Sequence, residues 1–148
     1  MTRGARKLAE QAQSHLADGE RVEALHPVRN KGSIDAQAFG GAIGTVAGAH
    51  GSRAEREAAS GIGVELGAFM AIAVTDRRLL LFSVTGVSKL DKLLSEMPLA
   101  EVESITVEKT MLGARKRITI AARGGSFQLE APGRAKVEEL TEAFEAAR

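Results

Sequence analysis

The run Ala71-Ile-Ala-Val-Thr-Asp-Arg-Arg-Leu-Leu-Leu-Phe82 constrains the fold more than any other part of this chain. One apolar segment enters a polar Thr75-Asp76-Arg77 corner, and a second leaves it from Arg78. Two short apolar segments separated by turn-forming residues spell a β-hairpin. The aspartate at the corner is expected to accept local backbone hydrogen bonds.

Strand signals continue on both sides of this hairpin. Residues 20–28 read as a first strand, with Pro27 pushing its end toward a sheet edge because proline cannot donate to a ladder. After a polar connection through Lys89, Asp91 and Lys92, residues 93–97 read as a short strand that stops at Pro98. Residues 104–109 alternate through Ile105 and Val107, Met111-Leu-Gly-Ala114 turns the chain, and residues 117–122 alternate again through Ile118 and Ile120. Gly124-Gly125 offers a tight hairpin with positive φ freely available, and residues 126–130 return with Phe127 and Leu129 inward. Helices are expected at both ends. Leu8, Ala12 and Leu16 form a stripe in residues 3–17 before Asp18-Gly19, and Val137, Leu140, Phe144 and Ala147 form another in residues 134–148. The organisation is thus an N-terminal helix over 1–19 and one mainly β domain over 20–148, interrupted by a Gly/Ala-rich insert at about 33–68.

The strands 71–74 and 78–82, the Pro98-Leu-Ala-Glu-Val102 corner and the terminal amphipathic helix together resemble bacterial pleckstrin-homology-like (PH-like) and GRAM-like domains, in which a Val-Thr-Asp-x-Arg-Leu step joins two central strands. The resemblance spans roughly residues 20–148. It implies an α+β, mainly β fold: a bent antiparallel sheet or barrel capped by a C-terminal helix. Phe144 would take the packing place of the tryptophan that eukaryotic relatives carry in that helix. It also implies a non-catalytic binding or assembly module, since bacterial relatives often form homo-oligomers. Thr75, Asp76 and Arg78 would then be a fold signature.

Composition narrows the partners. The 148 residues carry 20 basic and 19 acidic side chains, a formal net charge of +1, so no overall field draws in a polyanion and any electrostatic partner must be met by a local patch. Trp and Tyr are absent and only five Phe are present, which argues against the stacking platforms of nucleic-acid binding. The absence of cysteine removes disulfides, thiolate metal sites and thiol nucleophiles, and fits a cytoplasmic protein. His15, His26 and His50 are isolated in sequence and spell no metal motif, and no catalytic grouping stands out. The expectation is therefore no cofactor, no metal and no enzyme activity.

Three groups of residues are candidate binding positions. Arg29 and Lys31 follow the first strand, where the resemblance places the basic residues with which eukaryotic PH domains grip headgroup phosphates; a solvated loop is the competing reading. Arg77, beside Asp76 and Arg78, could form an anion-binding corner, against simple anchoring of turn and strand. Arg115, Lys116 and Arg117 are the densest basic run and could meet an anionic membrane surface, unless Glu108 and Glu130 neutralise them along a solvated sheet edge. Gly40, Gly44 and Gly48 are four apart; on a helix they would make a smooth stripe suited to close backbone approach. Self-association through residues 36–67 is the leading expectation, with another protein as the next partner. Peripheral attachment to the inner face of a membrane is the alternative.

Overall fold

A computed structural model describes residues 3–30, 57–86 and 89–147, apart from the side chain of Met111. Seven strands form one antiparallel sheet: β1 (Val22–Asn30), β2 (Phe69–Thr75), β3 (Arg78–Thr85), β4 (Lys89–Pro98), β5 (Val102–Thr110), β6 (Arg115–Ala122) and β7 (Gly125–Pro132). Their order across the sheet is β4-β3-β2-β1-β7-β6-β5. Helices α1 (Arg3–Ala12) and α2 (Glu138–Ala147) flank it in sequence.

The sheet curls around α2. That helix touches β1, β2 and β5. In a flat sheet β2 and β5, four positions apart, would stand about 19 Å from one another, well beyond the width of one helix. Val137, Leu140 and Phe144 are fully buried in the enclosed core with Ile72, Leu81, Ile105, Ile118 and Phe127. Phe144 is therefore packed from α2 into the enclosed core. The mainly β, PH-like arrangement expected from sequence is the arrangement observed.

A second apolar cluster covers the opposite face of β1–β4. Ala5, Leu8, Ala9 and Ala12 of α1 pack on Leu25, Ala71, Ala73, Leu80 and Phe82. Strands β2 and β3 are consequently buried on both faces, which explains their almost unbroken apolar sequence. Alanines at 71 and 73 leave room for the helix to approach. Gln11 Oε1 accepts from the Leu90 backbone N–H at 2.9 Å, tying α1 to the start of β4.

Strand and turn expectations are corrected at several points. Pro27 does not mark an edge strand, because β1 lies between β2 and β7. Asn30 N donates to Ala68 O, so alternation directs the even residues of β1 toward β2 and the odd ones toward β7. Strand β7 pairs with β1 only at Arg29 and Asn30. Pro27 sits at an odd position just past that overlap, where no donor is required. Strand β4 begins at Lys89 rather than Leu93, running through the expected polar connection because irregular pairing with β3 turns its charges outward.

Three residues from the end of the expected insert belong to the core. Residues 57–60 are helical, and Ala59, Val64 and Leu66 are buried against the barrel interior. This segment bonds β4 through Glu65 N and Ser95 Oγ (2.8 Å), and reaches the β6–β7 turn through Ile62 O and Arg123 (3.1 Å). The β6–β7 turn is itself shifted by one residue: Arg123 and Gly124 carry the positive φ angles, 53° and 80°. Gly125 is glycine for another reason, since a Cβ there would lie 2.5 Å from Ile62 Cγ2.

Candidate functional site

At the β2–β3 corner the local bonding differs from expectation. Thr75, rather than Asp76, caps the turn: its Oγ1 accepts from Arg77 N (3.0 Å) and Arg78 N (2.8 Å). The Asp76 carboxylate accepts instead from Arg21 N, far away in sequence, at 2.9 Å. Arg78 turns back over Glu20, donating at 2.6 Å and 2.9 Å, and also bonds Glu96 and His15 O. Glu20 accepts further bonds from Thr75 Oγ1 and Ala17 N. This bonding, Arg78 above all, holds the Glu20 carboxyl down at about 2. Arg78 is thus committed to the fold, and Arg77 alone of this group is exposed.

The basic run is divided by the pleat of β6. Arg115 and Arg117 lie on the outer face, with Arg115 3.6 Å from Glu130 and Arg117 3.4 Å from Glu108. Lys116 is buried on the inner face, where Nζ donates to Ala135 O at 2.7 Å and meets Glu138 at 2.7 Å. Strand register brings Arg29 opposite Glu130, Glu130 opposite Arg117 and Arg117 opposite Glu108. Arg29 also stacks on the half-exposed Phe69 ring at 5.0 Å. Arg29 and Arg117, separate candidates in sequence, therefore belong to one row of alternating charge across four strands. Lys31, Gly40, Gly44 and Gly48 lie outside the described residues.

A different cationic surface is assembled where β5 turns into β6. The β7–α2 link lies directly against this turn: Gly133 N donates to Ala114 O at 2.9 Å, and a Cβ at Gly133 would collide with Gly113 O. Residues 109–117 and 131–137 contain Lys109, Arg115, Lys116, Arg117, Arg134 and Lys136 and no carboxylate. Lys109, Arg134 and Lys136 are exposed, and none is in an ion pair among the described residues. The nearest acid on α2, Glu138, is held ionised by Lys116 and, more weakly, Lys109. Leu112 projects from the turn fully exposed, with φ of 57°. Sequence reading missed Lys109, Arg134, Lys136 and Leu112 because the two loops are adjacent only in space. The paired glycines Gly113 and Gly133 were the available signal.

Residues 49–146, well over half of the chain, match the family model for the Bacterial PH domain. The chain belongs to that family. The matched region begins after α1 and β1, although β1 is a central strand of this PH domain. A crystal structure of a DUF1696 family protein with a pleckstrin-homology domain, from Shewanella loihica PV-4, is similar with a TM-score of 0.47 and 10% identity, covering 96% of this chain and 91% of that one. No curated protein matches the chain. PH domains of this kind are binding or assembly modules and are generally non-catalytic.

Clefts also open on the surface formed by the described residues of this PH domain. One, of about 610 Å³, lies between α2 and the start of β1, lined by Arg21, Glu23, Asp76, Glu139 and Glu142 with alanines of α2. Another, of about 350 Å³, surrounds Arg29, Phe69 and Glu130. Among the described residues no cluster of three or more acidic or histidine side chains could hold a metal, and no helix is long and apolar enough to cross a membrane.

Proposed function

We propose that this PH domain is a non-catalytic module that docks on an anionic membrane surface, at the inner face of the membrane, through the apposed β5–β6 and β7–α2 loops. The observation that carries this reading is composition and contact: the end of β5 contributes exposed Lys109, the touching β7–α2 link contributes exposed Arg134 and Lys136, and residues 109–117 and 131–137 hold no carboxylate. Near an anionic bilayer each such cation contributes about 1 kcal/mol. Three give an attachment that is weak, reversible and screened by salt. The near-neutral total charge leaves the rest of the surface without competing attraction.

The non-catalytic part of the reading is supported by the shifted carboxyls. Glu20 and Glu138 are both lowered, each by a partner that keeps it ionised, so neither is poised to exchange a proton near neutral pH. Self-association through the glycine stripe remains a proposal of the sequence. Ala59, Val64 and Leu66 of that stretch are buried in the core, and the stripe itself lies outside the described residues.

Co-sedimentation with vesicles tests the docking. Binding to vesicles rich in anionic phospholipid at low salt, weakened at high salt and absent with neutral lipid, is the expected result. The K109Q/R134Q/K136Q variant should lose it. Failure of the unaltered chain to bind anionic vesicles at low salt would refute the reading, and a concentration-dependent mass would then direct attention back to self-association.

A further inference from the structure

Leu112 is an outlier in two respects at once. It is fully exposed, one of two large apolar side chains left in solvent among the described residues. It also holds φ of 57° within the β5–β6 turn, a left-handed conformation in which a leucine is strained and a glycine or asparagine is not. The following residue, Gly113, has φ of 89° and nothing within 4 Å of its missing Cβ, so the turn is not crowded by other groups. Folding alone would favour a polar or glycine residue at position 112. The conformation instead leaves an isobutyl group fully in solvent at the β5–β6 turn, with Lys109 before it and Arg115 after it in sequence.

We infer that Leu112 is an insertion residue: it enters the acyl boundary of an anionic bilayer while the surrounding cations lie at the headgroup phosphates. This inference rests on the docking reading above and adds an apolar component to it. A bilayer is the occupant committed to because of the charge around the side chain. A protein surface accepting Leu112 would also have to present counter-charges to Lys109, Arg134 and Lys136 at fixed positions, whereas anionic headgroups supply them without fixed geometry. The arrangement matches that of interfacial segments, in which an apolar group is buried a few ångströms deep beneath flanking basic residues. Two consequences follow for binding: part of the affinity should survive in high salt when Leu112 is present, and the turn should become less strained when it is replaced.

The chain contains no Trp and no Tyr, so an L112W variant reports on this position alone. With anionic vesicles its emission is expected to shift to the blue and to be quenched by acyl chains brominated near the headgroup. In parallel, L112G and L112N are expected to resist thermal unfolding at least as well as the unaltered chain while binding anionic vesicles about tenfold more weakly, equivalent to about 1.4 kcal/mol. Opposite movements of stability and binding separate insertion from a structural role.

Binding by the unaltered chain, with L112W emission still that of a solvated indole and L112G binding undiminished, would overturn insertion and leave the electrostatic docking intact. Absence of binding by the unaltered chain would overturn both. A blue shift that grows with protein concentration in the absence of lipid would show that Leu112 meets a second copy of the chain, which also overturns insertion.

Discussion

The Arg78 guanidinium closes on the buried Glu20 carboxylate at 2.6 Å, joining the central hairpin to the segment that leads into β1. Thr75 Oγ1 donates to the same carboxylate at 2.7 Å, so the Thr and Arg of the Val-Thr-Asp-x-Arg-Leu step act on one partner outside the motif. The Glu20 carboxylate accepts four hydrogen bonds, from Ala17 N, Thr75 Oγ1 and two Arg78 nitrogens, which is why a buried acid is tolerated here. Replacing it by glutamine leaves Arg78 half-compensated by the exposed Glu96. The E20Q chain is expected to lose about 3 kcal/mol in urea unfolding, and R78K nearly as much, because an ammonium cannot reproduce the forked geometry.

Acid should unfold the domain in two stages. His26 is buried, and burial pushes its imidazole below the ordinary 6.5; Glu139, 3.8 Å from its Nε2, and Glu138 oppose this, while Lys116 reinforces it. The unfolded chain therefore takes up that proton more readily, and stability falls as pH drops below about 6.5. Glu20 acts in a lower window. Its contribution is complete above 4.5 and disappears as pH falls toward about 2, where the folded carboxyl protonates. Urea midpoints measured from pH 8 to 3 should decline in both windows. H26Q should flatten the first and E20Q the second; a midpoint independent of pH between 7 and 5 would contradict the His26 assignment.

Contact between Gly125 and Ile62 fixes the seam between the strand-linking segment and the β6–β7 turn. A methyl at position 125 would stand 2.5 Å from Ile62 Cγ2, far inside van der Waals contact. G125A is expected to cost about 1–3 kcal/mol through overpacking. I62A alone should cost less than a fully buried isoleucine would, since Ile62 is half-exposed. The double variant should be more stable than additivity predicts, because removing the Ile62 branch opens the space that the new methyl needs. Thermal melts of the four chains measure this coupling directly. Strictly additive losses would mean that the segment shifts aside on its own.

What was legible in the sequence was whatever depended on local pattern. The hairpin follows from two apolar runs about a polar turn, and the alternating strands β5–β7 and the Val137-Leu140-Phe144 stripe follow from a repeat of two or 3.6 residues along one segment. The failures occur where a residue answers to a distant partner. Asp76 looked like a turn cap, but its carboxylate accepts instead from Arg21 N, 55 residues away in sequence. Pro27 looked like an edge marker, but β7 happens to stop pairing beside it. Residues 57–67 looked like an insert because glycine obscured Ala59, Val64 and Leu66, whose burial depends on the gap they fill. The candidate site suffered most, since strand alternation split Arg115-Lys116-Arg117 between two faces and the loop contact assembled a different set.

That split yields a direct test of which cations matter. Lys116 is spent inside the molecule, where its Nζ satisfies Ala135 O and Glu138 at the start of α2. K116Q should therefore lower the melting temperature, because it leaves the Ala135 carbonyl and the Glu138 carboxylate short of a donor, an effect of about 1–3 kcal/mol. Once correctly folded, it should bind anionic vesicles almost as the unaltered chain does. K109Q, R134Q and K136Q should behave in the opposite way, each leaving the melting temperature nearly unchanged and reducing vesicle binding several-fold at low salt. R115Q and R117Q fall between these classes, since each cation already faces a carboxylate on the outer face, Glu130 for one and Glu108 for the other. The six single variants, scored for melting temperature and for vesicle binding, should therefore separate by face of the sheet rather than by position in the sequence. Equal loss of binding across Arg115, Lys116 and Arg117, with none from Lys109, Arg134 or Lys136, would place the docking surface on the linear basic run after all.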